Sequence, residues 1–290
     1  MSLLHREVVR LSWWQLRTSR KALIAILVTL APLVAGILTV AADGVREAKD
    51  ADADHPIDGF RADLAEPLML AVIFTALPLT ALLLAGGLVS DEIEDRTISY
   101  LVVRPVERAR LYASKLVPVA LAAGVLGALQ ALSLALARVV SWVLFGRGDR
   151  EVVYQEVPGL LDTVPTGQVL ASLTVGAVLA CFLLGAALAT LFGFVSLCIP
   201  RFHFIANFLA YVAVELPFSQ LGGLGLGFLT PTFHALSLVG AFDLTNDALT
   251  PDAAPGWVAL PLLLAIVAAW AWLGRVVMRK RDFNVTSAAS

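Results

Sequence analysis

The sequence predicts an all-α polytopic membrane protein with six transmembrane helices, and two observations support that prediction. Of the 290 residues, 59% are hydrophobic and 15% are charged, whereas a soluble domain is about half apolar and about a quarter charged. Six long stretches carry few or no charges, and a helix needs about 20 apolar residues to cross the hydrocarbon. The predicted spans are residues 22–42, 67–90, 114–144, 167–199, 204–228 and 256–275. Residues 1–290 therefore form one transmembrane domain.

The segment before the first span, residues 3–21, predicts an amphipathic helix on the membrane surface, because it contains neither Gly nor Pro. At about 100° per residue its arginines fall on one side, and Leu4, Val8 and Leu11 fall on the other. Trp13 suits the interface between lipid and water. The cations predicted to face the lipid headgroups are Arg6, Arg10 and Arg17. The alternative is a short basic segment whose only role is to set the orientation of the chain in the membrane.

The fifth apolar stretch, residues 202–241, is too long for one simple helix and is interrupted by Pro217, several glycines and Pro231. We expect one crossing over residues 204–228, followed by a re-entrant piece over residues 229–242 that does not cross. Irregular backbone at membrane depth is tolerated only where protein or a water-filled cavity satisfies its polar groups.

Glu215 lies near the middle of the predicted fifth span. A carboxylate at the bilayer midplane costs at least about 2.5 kcal/mol and usually faces a cavity or a partner group. Glu215 is therefore a candidate for lining or gating a pathway. A neutral, hydrogen-bonded carboxyl group that braces the helices is an equally open interpretation.

The loop charges predict that both termini are cytoplasmic. Given the six spans, 15 of the Arg and Lys residues fall on the side of the termini and five on the opposite side. Positive residues concentrate on the cytoplasmic side of membrane proteins.

Sequence signals for catalysis and cofactor binding are missing. No lysine follows a glycine, so the standard phosphate loop, which needs Gly-Lys followed by Ser or Thr, is absent. The histidines are scattered and form no close set with the cysteines of the kind that zinc requires. We expect no catalytic residue, metal or cofactor on this chain, and the net charge of −2 gives no reason to expect nucleic acid.

The loop between the second and third spans, residues 91–113, has the most informative pattern. Four acidic residues follow the second span directly. After them, Ile98, Leu101 and Val102 would share one face of a short helix. Pro105 disfavours helix at the residue before it and so ends that helix. A short apolar helix held at the membrane by two spans can dock into a groove of a cytoplasmic partner. An ordinary charged loop at the interface is the alternative.

This loop resembles the first cytoplasmic loop of ABC-2 type transporter permeases, which has an acidic pair, Gly-Thr, an apolar run, Pro-Val-Ser-Arg and a Lys at the next span. The matching residues are Glu92, Glu94, Thr97, Leu101, Pro105, Val106, Arg108 and Lys115. Arg96 stands where the family usually has Gly, and Glu107 stands where it often has Ser.

The resemblance implies the permease subunit of a small, six-span ATP-binding cassette transporter in a bacterial-type cytoplasmic (inner) membrane. Two separate ATP-binding subunits would hold ATP and Mg²⁺ and grip the loop, and a second permease copy, identical or related, would complete an export pathway. The residues expected to couple to the ATPase are Glu92, Glu94, Thr97, Ile98, Leu101, Pro105 and Arg108. The alternatives are an ATP-driven mechanical transmitter that acts on a periplasmic or membrane partner without moving a solute, and a secondary transporter.

Overall fold

The computed structural model describes residues 5–50, 68–88, 107–145, 151–153, 163–200, 202–219, 227–242 and 256–280. These residues are almost entirely helical. The helices are α1 (Arg6–Thr18), α2 (Arg20–Asp50), α3 (Leu68–Ala85), α4 (Arg108–Phe145), α5 (Thr166–Cys198), α6 (His203–Ser219), α7 (Pro231–Ala241) and α8 (Gly256–Lys280). Two short strands, β1 (Glu151–Val153) and β2 (Thr163–Pro165), pair antiparallel between α4 and α5 and were not predicted.

Five helices of the described residues are long and apolar enough to cross a membrane: α2, α3, α4, α5 and α8. They correspond to the predicted first, second, third, fourth and sixth spans. The fifth span is represented by α6, which is shorter. At about 1.5 Å per residue it covers roughly 25 Å, somewhat less than the ~30 Å of hydrocarbon. Residues 220–226 lie outside the described part of the chain, so a sixth crossing stays a prediction.

A serine separates the amphipathic helix from the first span. Ser19 has an extended backbone (φ −77°, ψ 141°), and its hydroxyl accepts a hydrogen bond of 3.0 Å from the backbone N–H of Ala22. Serine is favoured at this position because its side chain satisfies a free N–H in the first turn of a helix. The predicted helix over residues 3–21 therefore ends at Thr18, and α2 begins at Arg20 as a separate helix.

Helix α5 forms the centre of the bundle. In its apolar stretch 72% of the residues are buried, against 28% for α2 and 11% for α8. It packs on α3, α4, α6, α7 and α8. Both cysteines lie in α5, and they form no disulfide in the described part of the chain.

Small residues bring α4 and α5 into close contact. A Cβ atom on Gly127 would lie 2.5 Å from the carbonyl oxygen of Cys181, and one on Gly185 would lie 2.5 Å from the carbonyl oxygen of Ala123. Glycine lets the two backbones approach to a distance that a side chain would prevent.

A buried glutamine joins three spans. The Nε2 of Gln130 in α4 donates to the hydroxyl of Thr80 in α3 (2.9 Å) and to that of Thr29 in α2 (3.4 Å). Each threonine hydroxyl in turn donates to a carbonyl of its own helix, at Ala76 and Ala25 respectively. These polar contacts connect α2, α3 and α4 inside the bundle, where an amide N–H group without a partner would be costly.

Candidate functional site

The predicted ATPase-coupling loop is described only at its return to the bundle. Residues 89–106 lie outside the described part of the chain, and with them six predicted coupling residues: Glu92, Glu94, Thr97, Ile98, Leu101 and Pro105. The seventh, Arg108, is the first residue of α4. The third span was predicted from about residue 114, so residues 108–113 extend its helix toward the loop. The docking helix itself stays a prediction.

Glu107 organises the return of the loop into α4. Its carbonyl oxygen accepts from the backbone N–H groups of Arg110 (2.9 Å) and Leu111 (3.0 Å), which starts the helix. Its carboxylate pairs with the guanidinium of Arg110 at 3.1 Å and with that of Arg279, in the last turn of α8, also at 3.1 Å. The end of the loop is thereby connected to the C-terminal end of α8.

Beneath Glu107 lies an apolar cluster to which four helices contribute, here called the loop-end cluster. Its buried members are Val8, Leu111, Tyr112, Leu116, Leu197 and Met278. They come from α1, α4, α5 and α8. The ring of Tyr112 is fully buried and lies where any side chain at Gly274 would have to be.

A hydrogen bond from the backbone to a serine side chain holds the start of α1 against the same end of α4. The N–H of His5 donates to the hydroxyl of Ser114 at 2.8 Å. A displacement of the loop at Glu107 would therefore act on α1, α4, α5 and α8 together, since close-packed interiors transmit strain.

The structure gives Glu215 a hydrogen-bonding partner, Thr232, that the sequence did not identify. Its side chain is 4% exposed, and its Oε1 accepts hydrogen bonds from the backbone N–H of Thr232 (2.9 Å) and from the hydroxyl of Thr232 (2.7 Å). Thr232 lies in the first turn of α7, where backbone N–H groups have no partner within the helix. Glu215 therefore caps the N-terminus of α7.

The segment predicted to re-enter the membrane contains α7, and residues 231–239 are all buried. His234 is fully buried and its Nε2 is 2.9 Å from the carbonyl oxygen of Phe228. The ring of Phe233 lies edge-on to the imidazole, with ring centroids 5.6 Å apart. Helix α7 is thus surrounded by protein over residues 231–239. The depth of α7 in a membrane stays a prediction.

The predicted membrane-surface cations Arg6, Arg10 and Arg17 are all exposed on α1. The residues of the predicted apolar face differ in burial. Val8 is buried in the loop-end cluster, whereas Leu11 is 43% exposed. Helix α1 therefore packs against α4 through a narrow strip, and most of its other residues are exposed.

The family model of the ABC-2 family transporter proteins matches residues 13–196, from within α1 almost to the end of α5. This chain belongs to that family. Members of the ABC-2 transporter family are membrane subunits that associate with ATP-binding subunits. No curated protein matches the chain. The match includes the whole of the predicted coupling loop and three of the six buried residues of the loop-end cluster, Leu111, Tyr112 and Leu116.

Two buried polar residues of this ABC-2 transporter protein were missed from the sequence, Thr232 and Gln130. For Thr232 a signal was available, because Pro231 opens α7 and proline at the first position marks the start of a helix. For Gln130 there was none, since a lone amide in an apolar run does not indicate which helices it will face.

Proposed function

We propose that this chain is the permease subunit of an ATP-driven exporter, coupled through residues 91–113 to separate ATP-binding subunits that hold ATP and Mg²⁺. A second copy of the chain, or a related permease, completes the transport pathway. Both termini and the coupling loop face the cytoplasm. The observation that supports this proposal most strongly is the family match over residues 13–196, which includes the loop.

The geometry at the return of the loop supports mechanical coupling. Glu107 connects the start of α4 to Arg279 of α8, and the loop-end cluster packs α1 and α5 against the same place. A docking helix formed by residues 91–106 would be attached to the helix bundle at Glu107 and the loop-end cluster. Closure of the ATP-binding subunits would then move several spans as one unit.

Co-purification tests the proposal. The tagged chain is isolated from its native membranes in mild detergent, and the proteins that come with it are identified and quantified by mass spectrometry. We expect an ATP-binding subunit in near-equal amount. If no such subunit accompanied the chain under conditions that preserve other ABC transporters, the proposed coupling would be wrong.

Two variants test the role of the loop in the purified complex. Charge reversal at Glu94 and proline at Ile98 should each reduce ATPase stimulation, because the first alters the charged approach to the docking helix and the second breaks the helix. The matched control is charge reversal at Glu7, which lies in α1 and outside the loop. Normal ATPase stimulation in both loop variants would contradict the docking role.

Transport is then distinguished from mechanical transmission in proteoliposomes that contain the complete complex. ATP-dependent movement of a solute across the bilayer supports export. Coupled ATPase activity that is accompanied only by a conformational change in a bound periplasmic or membrane partner would replace export by transmission.

A further inference from the structure

An open groove of about 650 Å³ lies between α1 and the first apolar turns of α4. Its size falls within the range of roughly 300–1,000 Å³ that is typical of sites for small molecules. Arg6, Arg10 and Trp13 line it from α1, and Val117 and Leu121 line it from α4. The groove thus has a cationic and aromatic wall opposite an apolar wall.

The arginines of the cationic wall can bind an anion. Arg6 and Arg10 are one helical turn apart on the same face of α1, both are exposed, and neither pairs with a carboxylate of the described residues. Glu7 also lines the groove, so two guanidinium groups stand against one carboxylate. The remaining positive charge, on donors that suit phosphate oxygens, is complementary to a phosphate monoanion.

The apolar wall lies where a span enters the hydrocarbon. Lys115 is the last charged residue of α4 before the uncharged run from Leu116 to Ala137. Val117 is 37% exposed and Leu121 is 50% exposed, so both offer surface to an acyl chain. Trp13, 49% exposed, suits the boundary between headgroups and hydrocarbon.

We propose that this groove binds one anionic phospholipid of the leaflet on which α1 lies, with its phosphate between Arg6 and Arg10 and its acyl chains along Val117 and Leu121. A free phosphate would use the arginines but not the apolar wall. A zwitterionic phospholipid without net charge would leave the excess positive charge of the groove uncompensated. The bound lipid would fill the space between α1 and α4 beside the loop-end cluster.

Native mass spectrometry of the purified chain tests this, after delipidation and incubation with phosphatidylglycerol or phosphatidylcholine of the same acyl chains. We expect selective retention of one phosphatidylglycerol. The double variant Arg6→Gln/Arg10→Gln should lower its affinity by about tenfold or more, since each basic residue contributes to binding at an anionic surface. Both arginines are exposed, so the variant should fold, and continued protection of the buried Cys181 thiol checks that it does.

The matched control is Arg17→Gln/Arg20→Gln, which removes the same charge near the same leaflet but does not touch the groove. Equal losses in both double variants would mean general attraction to anionic lipid and would overturn the proposal, as would equal retention of the two lipids. Val117→Trp fills the apolar wall without changing charge and should also reduce retention. Full competition by glycerol phosphate would show that only the phosphate is recognised and would likewise overturn it.

This proposal requires that α1 lies at a membrane surface but does not require an ATP-binding partner. Its readout is lipid retention by the isolated chain, so its failure and the failure of the proposed export function can be told apart.

Discussion

The contact between Glu215 and Thr232 yields a quantitative prediction that separates its structural role from a role in a pathway. Glu215→Met removes the acceptor of two buried hydrogen bonds while keeping a similar side-chain volume. A buried donor left without a partner costs about 1–3 kcal/mol, and loss of an N-terminal cap costs about 0.5–2 kcal/mol. The two estimates overlap, because one of the donors is the capped N–H. We therefore expect a loss of about 2–4 kcal/mol in the free energy of unfolding.

Glu215→Gln is the matched control, because its Oε1 can accept the same two hydrogen bonds without a charge. Thr232→Val removes only the hydroxyl donor and leaves the backbone N–H in place. We expect Gln at position 215 to remain close to the wild type in stability. In the double variant with Met at position 215, the Thr232→Val change should cost less than it does alone, because their shared hydrogen bond is already lost.

Thermal unfolding in detergent measures these differences through the buried thiol of Cys181, which a maleimide dye reaches only after unfolding. All variants carry Cys198→Ser, since Cys198 is exposed. At about 2–4 °C per kcal/mol for chains of roughly 150–250 residues, Glu215→Met should lower the apparent Tm by at least about 4 °C. An unchanged Tm with Met, or strictly additive effects of the two positions, would refute the capping role. A normal Tm together with altered ATPase coupling in Glu215→Gln would instead indicate a pathway role for the charge.

Three further predictions concern the packing of α4 on α5, the ion pair between Glu107 and Arg279, and the topology. Gly185→Val should destabilise the chain by about 1–3 kcal/mol, because the new Cβ atom would meet a carbonyl oxygen of α4. The same dye assay measures this loss. An unchanged Tm would show that α4 and α5 are not held so closely. Arg279→Gln should change the free energy of unfolding by less than about 1 kcal/mol, because its ion pair with Glu107 is exposed. It should nevertheless reduce ATPase stimulation. Normal stimulation would exclude this ion pair from coupling. In a cysteine-free background, cysteine at Asp52 should react with an impermeant reagent from outside intact cells, and cysteine at Arg108 only after lysis; the reverse pattern would invert the predicted topology.

The number of crossings shows where sequence reasoning works and where it stops. Charge-free runs of sufficient length predicted the five long apolar helices, because crossing the hydrocarbon depends on local composition and length. The fifth run was harder, since its proline and glycine residues permit several backbone paths of similar length. The structure describes it as α6 ending at Ser219 and α7 beginning at Pro231.

The boundaries of the helices next to the loops depended on local capping. Ser19 ends the amphipathic segment earlier than predicted, because its hydroxyl caps the following helix. The third span begins earlier, at Arg108, because the carbonyl of Glu107 accepts the first helical hydrogen bonds. Both signals are short and local, and a method based on hydropathy does not detect them.

The sequence by itself determined the membrane class, the helical composition and, through the pattern of the loop at residues 91–113, the family. These properties follow from composition, length and short motifs, which are independent of how the helices pack. Only the tertiary structure decided that Glu215 caps α7, that Gln130 joins three helices and that α1, α4, α5 and α8 meet beneath Glu107. Each of these contacts joins residues distant in the chain, and an apolar helix can present any of its faces to its neighbours. The partners of its few polar groups are therefore fixed by packing and not by local sequence.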